Sequence, residues 1–139
     1  VCKGKLFLDD VFVWGEGLVK AYQLESKKAI YPRIIIDEEV LDKASEHLKK
    51  CMVFKDKDGV WCLNYLRSFG KNSKSRIEEL GGIQRWVIKD LDELEREYIT
   101  KKDEEERKEI ERKMKKMSWL SQYVDGSLKY WEEFCKESH

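Results

Sequence analysis

The chain has 139 residues, enough for one domain with a real core and short for two. Charged residues make up 40% of it, well above the roughly 25% of an average globular chain. Yet 28 basic side chains balance 28 acidic ones, so the sequence lacks the basic excess of a protein that coats nucleic acid or an anionic membrane.

Residues 3–8 (KGKLFL) alternate polar and apolar, which is strand periodicity, and Asp9-Asp10 turns the chain into a short return strand at Val11–Trp14. From Gly15 the period becomes helical. Leu18, Ala21, Tyr22 and Glu25 fit a helix to about Ser26, with Glu16 well placed in its first turn. Ala29–Ile36 is the most β-prone run, and Pro32 assigns it to an edge or a strand start, because proline cannot donate to a ladder. Asp37 is expected to cap an amphipathic helix over 38–50 that carries Val40, Leu41, Ala44 and Leu48.

Two alternating runs then flank Lys57-Asp58-Gly59, and Asp-Gly predicts a two-residue hairpin. The DKDG string is not a calcium loop, since Phe54 and Tyr65 stand where that loop needs acidic ligands. Residues 67–76 (RSFGKNSKSR) read as a polar loop, and Arg67, Lys71, Lys74 and Arg76 make it the one local basic patch. After Gly81-Gly82, Ile83, Val87, Leu91, Leu94 and Tyr98 form one apolar stripe. A break is expected near Thr100 and a cap at Asp103. A second stripe follows through Ile110, Met114, Met117, Leu120 or Ser121, Val124, Leu128 and Trp131, kinked or split at Asp125-Gly126. The charge block between the stripes is ordered as Glu104–Lys108, Glu109–Lys113 and Glu111–Lys115 pairs, one helical turn apart, which predicts an exposed helix rather than disorder.

Candidate chemistry is sparse. Cys2, Cys51, Cys62 and Cys135 are far apart, with no C-x-x-C and no histidine pair, so they do not spell a zinc site, and free thiols in a reducing compartment are expected. Cys51 and Cys62 flank the hairpin, and whether they pair stays open. His47 reads as an exposed helical residue with no nucleophile at a helical spacing, and His139 is terminal. Asp9-Asp10 read as turn formers in preference to metal ligands. Trp119-Leu120 and Tyr123 read as helical core in preference to a ligand site.

The ordered series Phe12-Val13-Trp14-Gly15-Glu16-Gly17-Leu18-Val19-Lys20-Ala21-Tyr22-Gln23-Leu24-Glu25-Ser26, followed by Pro32-Arg33-Ile34-Ile35-Ile36, resembles a segment of the class III nucleotide cyclases. There a strand ends in an aromatic-Gly turn, a helix follows, and a Pro-x-Ile-like strand comes next. The resemblance spans roughly residues 3–42 and implies the carboxy-terminal half of that fold. In competent members the helix supplies an asparagine and, a turn later, an arginine that stabilises phosphate charge. The matching positions here hold Val19 and Gln23, and the base-selecting position holds Phe12. The family's metal-binding aspartates lie upstream of this segment. The downstream hairpin and the Trp-Leu-x-x-Tyr helix are similar to those of uncharacterised bacterial cyclase-like proteins, which brings no activity with it.

The fold expected is α+β, a small antiparallel or mixed sheet with packed helices followed by a long helical hairpin. A cyclase-like region is expected at 1–66, a linker at 67–82 and the hairpin at 83–139. No catalytic or metal-ligating residue and no cofactor is nominated. The function expected is that of a non-catalytic, cyclase-like regulatory or interaction domain. It would form a homodimer or meet a protein partner through helices 83–136 or a sheet edge, with nucleic acid not expected. No run approaches the roughly eighteen apolar residues of a membrane span and no signal peptide opens the chain, so a cytoplasmic location away from membranes is expected. The alternative is the carboxy-terminal part of a nucleotide cyclase or related enzyme whose metal-binding half lies upstream of Val1. That reading suits a chain that begins without Met at a residue read as mid-strand, as a fragment or proteolytic product would.

Overall fold

The computed structural model describes residues 1–5, 7–8, 13–25, 30–68 and 72–137. It is α+β and divides into two compact units, Val1–Tyr65 and Leu66–His139.

The first unit begins with a hairpin of β1 (Phe7–Leu8) and β2 (Val13–Trp14), antiparallel in register Phe7↔Trp14. The turn expected at Asp9-Asp10 lies outside the described residues. Gly15 then adopts φ 146°, a conformation closed to residues with a side chain, and α1 (Glu16–Gln23) starts at once. Gly17 and Gly4 pack backbone to backbone, with Gly17 N donating to the Lys5 carbonyl at 3.1 Å.

A second sheet has the order β3-β5-β4, formed by β3 (Ile34–Ile35), β4 (Val53–Lys55) and β5 (Trp61–Leu63), all antiparallel. β3 is an edge strand that starts just after Pro32, as a residue without an N–H requires. Its outer edge is not open at every position. Val1 bonds the Ile35 carbonyl through its amine, and the Val1 carbonyl accepts from Asp37 N at 2.9 Å, a parallel bridge that covers the end of the strand. Cys62, fully buried at the centre of β5, faces Ile35 on one side and Phe54 on the other. Phe54, not Cys51, is therefore its partner across the hairpin, and neither cysteine is in a disulfide.

The single helix expected over 38–50 is two helices, α2 (Glu38–Asp42) and α3 (Glu46–Met52). Ser45 makes the break, because its hydroxyl accepts from Leu48 N at 3.3 Å and opens a fresh helix instead of continuing the old one. The hairpin loop also differs from the two-residue turn read in Asp-Gly. Gly59 N donates to the Asp56 carbonyl at 2.9 Å and Asp56 N to the Val60 carbonyl at 2.9 Å, leaving Lys57–Gly59 as a three-residue loop. Gly59, at φ 82°, closes it as the left-handed residue.

In the second unit α4 (Ser73–Thr100) and α5 (Glu104–Glu137) pack together along their length as a helical hairpin. Gln84 bonds Asp125, Tyr98 donates to Glu111 at 3.0 Å, and Arg76 lies over Trp131, so later positions on one helix meet earlier ones on the other. The helices are antiparallel. Leu80 and Val87 of α4 and Ile110, Val124, Leu128 and Trp131 of α5 are buried along the seam, which is the pair of stripes read from the sequence with Leu80 added. Two boundaries differ from the sequence reading. Residues 73–82 are the first turns of α4, because Asn72 Oδ1 accepts from Ser75 N at 2.9 Å while Ser75 Oγ accepts from Asn72 N at 3.3 Å, a reciprocal cap. And α5 is not split at Asp125-Gly126, which lie within one helix. The break at Thr100 and the cap at Asp103 are where expected, with Asp103 Oδ1 accepting from Glu106 N at 3.0 Å.

Candidate functional site

Three features of the α/β unit bear on function. The first is a buried charge cluster. Arg33 follows Pro32 at the mouth of β3, and its guanidinium reaches the hairpin loop. Nη1 lies 2.5 Å from Asp56 Oδ2 and 2.9 Å from Asp58 Oδ1, and Nη2 lies 2.5 Å from Asp58 Oδ2. The planar fork spans both carboxylates, a geometry lysine cannot reproduce. Asp58 holds the guanidinium protonated more firmly still, and the guanidinium in turn holds the Asp58 carboxyl below its ordinary range. The two aspartates of the DKDG string are therefore ligands of an intrachain cation.

The second feature is a cavity of about 230 Å³ bordered by Leu24, Ile35, Asp37, Glu38, Asp58 and Trp61. Its rim is acidic, but the rim is largely engaged already. Lys20 Nζ lies 2.5 Å from Asp37 Oδ2 and 3.2 Å from Glu39 Oε2, which lowers the Asp37 pKa and raises that of Lys20. Asp37 thus caps α2 by position while its side chain serves the ion pair. Carboxylates held ionised in this way are poorly suited to act as general acids or bases at neutral pH. Among the described residues no group of three or more His, Cys, Asp or Glu side chains could hold a metal ion.

The third feature is the surface of α1. None of its residues is buried, and Leu18, Val19 and Tyr22 are 45%, 56% and 68% exposed. At helical spacing these three cover an arc of about 100°. Val19 and Gln23, where the resemblance would have placed asparagine and arginine, lie exposed on this helix. Phe12, Asp9, Asp10 and His139 lie outside the described residues.

Elsewhere the residues singled out are structural. Arg67 lies 4.5 Å from the centre of the Tyr130 ring and Arg76 lies 4.3 Å from that of Trp131, so these members of the basic patch lean on aromatic faces. The Trp119 and Tyr123 rings lie 5.1 Å apart along α5, tilted by 38°, and the Tyr123 hydroxyl accepts from Leu66 N at 3.4 Å. Two of the three expected ion pairs form, Glu104–Lys108 at 3.4 Å and Glu109–Lys113 at 3.2 Å, whereas Glu111 accepts from Tyr98. One relation was missed. Cys51 Sγ lies 3.9 Å from both ring nitrogens of His47, one turn away on α3. The signal was present as H-x-x-x-C.

No helix among the described residues is long and apolar enough to cross a membrane. Comparison with protein-family models, with curated proteins and with solved structures finds no match to this chain.

Proposed function

We propose that this chain is a non-catalytic, cyclase-like interaction domain that pairs with a second copy of itself through α1. The observation that carries the reading is the exposed arc of Leu18, Val19 and Tyr22. A helix that would present polar transition-state groups in a competent cyclase presents apolar side chains here, which favours docking over phosphate chemistry. The occupant follows from charge. With 28 basic and 28 acidic residues, two copies meet without long-range repulsion, and net neutrality promotes self-association.

Sedimentation equilibrium tests this with the wild type and with Leu18→Asp and Val19→Asp variants. The wild type is expected to dimerise and both variants to sediment as monomers with unchanged circular dichroism. A wild type that stays monomeric at high concentration refutes it. Incubation with each nucleoside triphosphate and magnesium or manganese distinguishes the enzymatic alternative, and cyclic or linear product from any base would replace this reading.

A further inference from the structure

We propose that His47 and Cys51 form a two-donor site on α3 for a soft or borderline d10 metal ion, independently of the pairing through α1. Residues one turn apart stand one above the other on a helix face, so the thiol and the imidazole project together. The separation fits an ion between them. With metal–sulfur and metal–nitrogen bonds of about 2.3 and 2.0–2.1 Å, the two donors lie about 3.6 Å apart at a tetrahedral ion and about 4.4 Å apart at a linear one. The observed distance is 3.9 Å to either nitrogen, inside that window. The imidazole χ2 torsion is soft, so either nitrogen can turn its lone pair to the ion without backbone movement.

The pair is also reachable, since His47 is exposed and Cys51 half-exposed. The chemistry of the donors selects the ion. A thiolate and a neutral imidazole suit zinc, cadmium or Cu(I), whereas magnesium and calcium take oxygen donors, which neither side chain supplies. Binding replaces the thiol proton by the metal, and water fills the remaining positions. Such an open site differs from a closed four-ligand structural zinc site, and folding does not depend on it.

The test is titration of the reduced, full-length chain with cadmium, followed by the ultraviolet thiolate-to-cadmium absorption and by calorimetry with zinc. The wild type is expected to bind one ion with that absorption. Cys51→Ser is expected to abolish both signals, and His47→Gln, which keeps the thiol, to weaken binding by roughly tenfold or more. Cys135→Ser, which removes another half-exposed thiol, is expected to leave binding unchanged, and circular dichroism reports whether each variant is folded. His47→Gln binding as tightly as the wild type would overturn the proposal, and so would equal loss in Cys135→Ser and Cys51→Ser, because the ion would then read isolated thiols.

Discussion

Replacing Arg33 by methionine removes the charge that holds the hairpin loop to β3 while keeping much of the side chain's volume. The arginine side chain is 1% exposed, Asp56 12% and Asp58 43%. Methionine follows the path of the aliphatic stem, so the loss is of ion pairs rather than of packing. Breaking a buried pair by removing one partner costs about 3–5 kcal/mol, because the remaining charge is left without compensation. Asp58 can turn to water and recover its hydration, which discounts its share, whereas Asp56 has little access to do so. The expected loss is therefore about 3 kcal/mol. For a unit of this size that corresponds to a fall in Tm of about 12–24 °C.

Cys62 supplies the assay. It is buried at the centre of the sheet, and burial pushes its thiol up to about 11, so at neutral pH it reacts with a thiol reagent only when the sheet opens. Cys2, Cys51 and Cys135 are half-exposed and report the fast reference rate. In Arg33→Met the Cys62 rate is expected to rise towards theirs. Adding Asp56→Asn and Asp58→Asn to it is expected to restore most of the protection, since no carboxylate is then stranded. Wild-type protection and wild-type melting in Arg33→Met would refute this account of the cluster.

Three further outcomes follow from the same geometry. Asp58 and Asp37 are held below the ordinary aspartate value of 3.8 by Arg33 and Lys20 respectively, so their contribution is present above that pH and is lost as pH falls through the lower native values. Acid titration of Cys62 protection should show this limb, and Arg33→Met should flatten it; a variant with the same acid limb as the wild type would contradict the assignment to Asp58. Leu80→Ala empties a fully buried position in the helical seam and is expected to cost about 3 kcal/mol in chemical denaturation, whereas Ile88→Ala, on the exposed side, should be near neutral. Asp103→Ala removes the acceptor for Glu106 N and is expected to cost about 1 kcal/mol, recovered by Asp103→Ser.

What was legible in the sequence is what periodicity encodes. The two stripes from Ile83 to Tyr98 and from Ile110 to Trp131 are long, and a period of 3.6 repeated over many turns leaves little else they can form. The hairpins at 7–14 and 53–63 were legible from alternation, and the edge position of β3 from Pro32. What was not legible turns on short-range competition. Ser45 and Asn72 decide helix starts through single side-chain hydrogen bonds, and neither is followed by the Glu or Gln that marks a capping box most clearly. Asp125-Gly126 looks like a break, yet the seam on either side, Val124 and Leu128, outweighs the propensity of one glycine. The Arg33 cluster joins residues more than twenty positions apart, and no local pattern announces such a contact. His47 and Cys51 had the right spacing, but a single histidine among lysines reads as a solvated residue until the sulfur distance is known.

Amide hydrogen exchange across a dilution series tests the central claim most directly, because it reads both the association and its location. Pairing through α1 predicts that the amides of Glu16–Gln23 gain protection as concentration rises, that Val19→Asp abolishes the gain, and that α4 and α5 exchange independently of concentration. Protection that rises along α4 and α5 while α1 stays constant, or that rises nowhere, would contradict it.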